Sequence, residues 1–257
     1  MDDRRPDDCL KEGRSMALSP STEDRCTVAA AEASLPPIPS RLTRVRSRLL
    51  RETAALALPR SVLLTHGARG RARKRIALTF DDGPDPMTMD YLGVLDRLGV
   101  RATFFLVGQN IESSPTLVRQ YTRFGHELGC HGWTHEPFTT MSGEQLHDEL
   151  ERTSRLLCRE VGHVRLVRPP RGAMSMRALL RIAASGYTTV LWSVDSDDCR
   201  TCDPRAVEGR LARTKLASGD IVLLHELQPW TLQALPRLVG ALRRDAWEFV
   251  TVSELLG

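Results

Sequence analysis

From residue 76 onward, short apolar runs alternate with longer segments whose apolar positions return at helical spacing. The runs occupy 76–80, 103–107, 127–130, 164–167, 188–192, 221–224 and 247–251, and most are rich in β-favouring residues. Two intervening segments carry explicit helix starts. Ser142-Gly143-Glu144-Gln145 reads as a capping box, in which Ser and Gln each satisfy the other's backbone N–H, and Leu146, Leu150 and Leu157 follow on one face. Asp203-Pro204 reads as a cap followed by proline at the first helical position, opening a helix that stops near Gly219. This repetition predicts an α/β domain with a parallel sheet, because each helix carries the chain back to start the next strand in the same direction.

Upstream the pattern changes. Residues 1–40 are rich in Asp, Ser, Pro and Ala and end in Leu35-Pro36-Pro37-Ile38-Pro39, the composition of a disordered tail. Residues 41–75 form a basic, partly helical arm. Leu42, Val45, Leu49, Leu50, Leu56 and Leu58 are spaced for one or two short amphipathic helices reaching to about residue 65. Eleven basic residues from Arg41 to Arg75 face Glu52 alone, so with a net charge of +4 the rest of the chain is slightly acidic. No aromatic residue interleaves the arginines, which argues against nucleic acid as a partner. Packing against the domain is the plainer role for the arm, and peripheral contact with an anionic membrane surface the sharper one.

No run approaches the roughly 20 apolar residues of a membrane span. The start, Met1-Asp2-Asp3-Arg4-Arg5, is followed by no apolar run of signal-peptide length, so the expected location is the cytoplasm, including the inner face of the membrane. Six cysteines are too few to build a fold of 257 residues on disulfides. Cys199 and Cys202 have C-x-x-C spacing without a second metal-binding pair, which suits free thiols or a local disulfide better than structural zinc.

The chemistry gathers where the predicted strands end. Asp81 and Asp82 leave the first run at the turn Gly83-Pro84. Adjacent carboxylates repel unless something positive shares their site, so the pair points to a metal ion or an arginine, although alone it also suits a solvated turn. His131 and His135 follow the third run, Arg168 the fourth, Asp195, Asp197 and Asp198 the fifth, and His225 the sixth. In a parallel α/β domain these ends share one face, so the residues converge. Two histidines and a strand-end carboxylate form a hydrolytic zinc ligand set, with a position left open for water.

Thr79-Phe80-Asp81-Asp82-Gly83-Pro84, His131-Gly132-Trp133-Thr134-His135, Arg168-Pro169-Pro170-Arg171-Gly172, Asp195-Ser196-Asp197-Asp198 and Leu223-Leu224-His225 resemble, in order and spacing, the five motifs of the polysaccharide deacetylases. This is carbohydrate esterase family four, the NodB-homology domain. The resemblance covers residues 76 to about 256 and implies a distorted, incomplete (β/α) barrel of about seven parallel strands, here with an N-terminal extension.

The resemblance also implies roles. Asp82, His131 and His135 would hold a divalent ion, zinc first, with cobalt, nickel or manganese as alternatives. Asp81 would be the general base, paired with Arg168. The backbone N–H of Arg171 would help hold the oxyanion. His225 would protonate the leaving amine, with Asp198 on its other nitrogen. Leu223 would line the acetyl pocket. Two positions depart from the family. Arg171 stands where Tyr or Phe is frequent, and Cys199 where Trp is usual, which bears on substrate preference and on redox sensitivity. The implied function is a metal-dependent deacetylase acting on the N-acetyl amino sugars of a polysaccharide, oligosaccharide or lipid-linked sugar. The alternatives are a deformylase or cyclic-amide hydrolase on the same barrel, or a non-catalytic carbohydrate-binding protein. Outside the motifs, His66, His126, His147 and His163 are expected to be structural or solvent-exposed, and Cys130 a buried thiol.

Overall fold

Nine strands form a single sheet in the computed structural model, which describes residues 57–70 and 73–256. They are β1 (Leu63–Leu64), β2 (Lys74–Asp81), β3 (Thr103–Leu106), β4 (Glu127–Cys130), β5 (Leu166–Val167), β6 (Thr188–Val190), β7 (Val194–Asp195), β8 (Asp220–His225) and β9 (Trp247–Phe249). Eight α-helices are described: α1 (Thr88–Arg97), α2 (Gly108–Ser113), α3 (Pro115–Arg123), α4 (Gly143–Val161), α5 (Met176–Ala184), α6 (Pro204–Arg213), α7 (Pro229–Arg244) and α8 (Val252–Leu256). The strand order is β1-β6-β5-β4-β3-β2-β8-β7, with β9 beside the start of β2, and every paired strand runs parallel.

The sheet curls into a half-barrel. β1 lies at one end of the strand order, yet the residues just after it reach the start of β8. His66 bridges to Asp220, and Gly67 N–H donates to Gly219 O at 2.7 Å. Apart from β9 and the start of β2, the strands are buried on both faces for most of their length, as a helix-covered parallel sheet requires. Phe80 and Phe104 stack at 5.0 Å inside it, and Tyr91 and Tyr121 close the same layer edge-on. The largest fully buried side chain is not apolar: it is Arg168.

The seven predicted runs all became strands, trimmed or extended by a few residues. The capping box at Ser142 and Gln145 is present, and Asp203 caps α6 by accepting the N–H of Arg205. Three expectations need correction. Leu63–Leu64 is strand rather than amphipathic helix, because its backbone pairs with β6 and both side chains are buried; partners distant in sequence override the local spacing. β7 is a further strand of two residues, too short for any alternation to signal. α6 ends at Arg213, well before Gly219, whose φ of +92° and N–H bond to Arg75 O belong to the turn into β8. The predicted tail over 1–40 and the arm up to residue 56 lie outside the described residues. Among the described residues no helix is long and apolar enough to cross a membrane.

Candidate active site

Strand register sets the first pairing of chemical groups. Asp81 ends β2 with its Cα opposite His225, the last residue of β8. Asp82 follows at φ +77°, and the turn beyond is held by Val107 N–H on Gly83 O and by Asn110 Nδ2 on Asp82 O, at 2.9 and 2.8 Å. Gly83 has a reason beyond turning. A Cβ there would lie 2.1 Å from Glu226 Oε2 and 2.8 Å from the Tyr121 hydroxyl, so only glycine lets the turn close over β8.

Asp82, His131 and His135 come together, with ligand atoms within 4.8 Å of one another. The Nε2 atoms of His131 and His135 stand 3.4 and 3.1 Å from Asp82 Oδ1, yet that buried oxygen has no hydrogen-bond partner. An orphaned buried carboxylate oxygen is costly, and here it meets two imidazole nitrogens around a common point. The donor set fits a divalent cation of the zinc type. Tautomer agrees: His131 Nδ1 lies 2.7 Å from Arg168 O, an acceptor only, so Nδ1 carries a hydrogen and Nε2 is the ring atom turned to the cluster. Burial pushes the Asp82 carboxyl up, but the two histidines beside it more than offset this and hold it well below its usual range.

Arg168 is held as a rigid fork. Nη1 donates to Asp81 Oδ1 at 2.6 Å and to Thr79 Oγ1 at 2.8 Å, Nε reaches Val190 O and Nη2 reaches Leu191 O. Its guanidinium also lies 4.1 Å over the Phe105 ring. Burial draws its pKa down, yet an arginine keeps its charge. Asp81 is therefore fixed by a buried cation that itself has no freedom to turn.

His225 and Asp198 form the second locked pair. Asp198 Oδ1 lies 2.7 Å from His225 Nδ1, and Oδ2 accepts the His225 backbone N–H and the Thr231 hydroxyl, each at 2.8 Å. Burial opposes a charge on His225, but the Asp198 carboxylate prevails and raises the imidazole well above its ordinary value. Burial likewise raises Asp198, and the charged His225 outweighs it and holds the carboxyl low.

Arg171 sits in the turn after β5 with φ +58°, exposed and without an ion pair among the described residues. On His135, burial disfavours the charge and Asp82 more than restores it, while the Arg171 guanidinium opposes. Leu223 lies buried in β8 opposite Asp195. Asp82, His135 and Arg171 all adopt left-handed backbone that non-glycine residues avoid, and such strain gathers where surrounding structure fixes a functional geometry.

Not every strand-end acid joins the cluster. Asp195 accepts the N–H of Asp197, and Asp197 pairs with Arg200 at 2.7 Å and Arg210 at 3.3 Å, so both close their own loop. Cys202 is disulfide-bonded while Cys199 is a free thiol, so the two are neither a free pair nor a local disulfide with each other. Cys130 is buried, and burial pushes its thiol up to about 12. His126 is a core histidine: its Nδ1 accepts Ala102 N–H, and burial pushes it down to about 4.

Sequence reasoning passed over Glu226. It follows His225, is fully buried, and takes hydrogen bonds from the Thr88 and Tyr121 hydroxyls beneath Gly83. The available signal was a carboxylate continuing an apolar strand run. Burial pushes its pKa up to about 8 from an ordinary 4.5. In that window the folded chain holds a proton that the unfolded chain has released, so stability falls as pH rises from about 4.5 to 8 and the loss persists above. Glu226→Gln is expected to flatten this part of the stability profile, read as unfolding free energy against pH for both proteins. An unchanged slope would contradict the assignment.

A profile of the polysaccharide deacetylase family matches residues 68–190. The peptidoglycan-N-acetylglucosamine deacetylase PgdA of Listeria monocytogenes is 33% identical over 202 residues, 78% of this chain and 42% of that protein. The chain thus spans less than half the length of that relative. A peptidoglycan-N-acetylglucosamine deacetylase of Bacillus cereus is 35% identical over 189 residues, 71% of this chain and 88% of the relative. Among solved structures, the family 4 carbohydrate esterase of Streptomyces lividans in complex with acetate is similar at a TM-score of 0.65 and 32% identity, over 71% of this chain and 93% of that one. With the Bacillus cereus relative and the Streptomyces lividans esterase each matched over most of their length, and five motifs meeting at one end of the sheet, the chain belongs to the polysaccharide deacetylases, carbohydrate esterase family four.

Proposed function

We propose that this chain hydrolyses N-acetyl groups of amino sugars in a polysaccharide, with peptidoglycan-type glycans as the first candidates because two relatives carry that activity in their names. The observation that carries the reading is the pairing of Asp81 with His225 across β2 and β8, each locked by a buried partner of opposite charge, beside the Asp82, His131 and His135 cluster. One carboxylate and one imidazole on either side of a reacting centre are the base and acid that amide hydrolysis needs.

Asp82, His131 and His135 would hold the divalent ion, which when bound polarises the acetamide carbonyl and acidifies water. Asp81 takes the proton from the attacking water, and Arg168 keeps its carboxylate aimed. As the tetrahedral centre forms, the Arg171 backbone N–H donates to the oxyanion; the left-handed turn after Pro169 and Pro170 fixes that donor. His225, with Nδ1 committed to Asp198, delivers its Nε2 proton to the departing amine. Leu223 offers an apolar wall for the acetyl methyl. The exposed Arg171 side chain presents a positive charge to the sugar chain where the family often offers an aromatic ring.

Mass spectrometry of acetylated chito-oligomers, peptidoglycan fragments and formamido sugars, incubated with zinc- or cobalt-loaded protein, tests the reading. Loss of acetyl from hexosamine units is expected. Turnover of formamido sugars alone would replace the acetyl assignment, and no product from any substrate would leave a binding protein.

A further inference from the structure

The loop between the two histidine ligands is fastened from outside the site. Glu149, on α4, is 8% exposed, and among the described residues no salt bridge engages it. Its Oε2 accepts the backbone N–H of Trp133 at 2.6 Å and of Thr134 at 3.0 Å, and its Oε1 accepts the Thr134 hydroxyl at 2.9 Å. Three donors on one buried carboxylate make strong, charge-assisted bonds. The opposite edge of the loop is held as well. Gly108 N–H donates to Gly132 O at 2.9 Å, and Gln109 N–H to Trp133 O at 3.1 Å.

The backbone between these anchors is one that the chain would not adopt freely. Gly132 has φ +82°, and a Cβ there would meet the Phe138 ring at 3.0 Å and Glu149 Oε2 at 3.1 Å. His135 is itself left-handed at φ +63°. Arg152, less than one turn further along α4, lays its guanidinium 3.8 Å over the Trp133 ring, so one helix grips both backbone and side chain. None of these contacts involves Asp81, Arg168, Asp198 or His225.

We propose that Glu149 is a positioning residue for the metal cluster: by fixing the backbone from His131 to His135 it makes both imidazoles meet Asp82 in one geometry. This rests on the reading of Asp82, His131 and His135 as ligands. An amide at 149 keeps one oxygen that accepts the two N–H groups, and an alanine keeps none, leaving those donors unpaired.

Chelator competition with zinc, and the visible absorption of the cobalt form, are measured on the full chain for wild type, Glu149→Ala, Glu149→Gln and Thr134→Val. Glu160→Gln, altering an exposed pair with Arg119 near the far end of the same helix, is the control. Glu149→Ala is expected to bind zinc about 10- to 100-fold more weakly, the usual effect of losing a group that orients metal ligands, and to shift the cobalt bands. Glu149→Gln should recover most of both, Thr134→Val should weaken binding by a smaller factor, and the control should match wild type. A purely structural role would lower the melting temperature and leave the cobalt bands alone. Wild-type affinity and spectrum in Glu149→Ala would overturn the proposal. Should that variant not fold, wild-type values in Thr134→Val together with Glu149→Gln would do the same. Failure of the ligand reading looks different: wild type itself would then take up no metal.

Discussion

A His131→Ala, His135→Ala double variant is expected to retain no divalent ion and to lose about 10³-fold or more in turnover. The cation supplies several kcal/mol of charge stabilisation in this class of chemistry, and each 1.36 kcal/mol is a factor of ten in rate. Elemental analysis of the purified protein is the direct measurement, with wild type expected to carry about one ion. Undiminished metal in the double variant would remove these histidines from the ligand set. Asp82 alone cannot compensate, because it is one of three ligands and the double variant removes the other two. Stripping the ion from wild type is therefore also expected to lower the melting temperature, since a ligand that binds only the folded state stabilises it.

The same residues mark how far the sequence alone was legible. Asp81, Asp82, His131, His135, Arg168, Asp198 and His225 stand in short contiguous motifs at the ends of apolar runs, and a parallel sheet must bring such ends to one face. Their convergence could thus be read before any coordinates. Glu149 and Glu226 could not be read this way, because their roles exist only through partners distant in sequence: a loop at 133–134 for one, a turn at Gly83 and hydroxyls at 88 and 121 for the other. Glu149 sits between Leu146 and Leu150, where an acid borders the buried face of its helix, and that was the only local hint. β1 and β7 were hidden for a related reason. A strand of two residues has no period, and only the neighbour it pairs with defines it.

Asp81→Asn and His225→Ala are each expected to keep the ion and lose on the order of 10²-fold or more in turnover, the scale of general base and acid groups. Asparagine preserves the shape that Arg168 Nη1 supports, and Arg168 is itself held by Thr79, so the loss would report the missing proton acceptor rather than a displaced side chain. Near-normal turnover in either variant, with metal retained, would withdraw the role. The pH profile separates the two. As the proposed acid, His225 must be protonated to serve the leaving amine, and Asp198 raises its pKa well above the ordinary value against the opposing effect of burial. Activity should hold through neutral pH and fall only as pH rises through that raised value. In Asp198→Asn the carboxylate is gone while the burial remains, so the alkaline limb should move to lower pH. Rate against pH for this variant, compared with wild type, is the decisive measurement: a limb that stays in place would mean that some group other than His225 carries the proton to the amine.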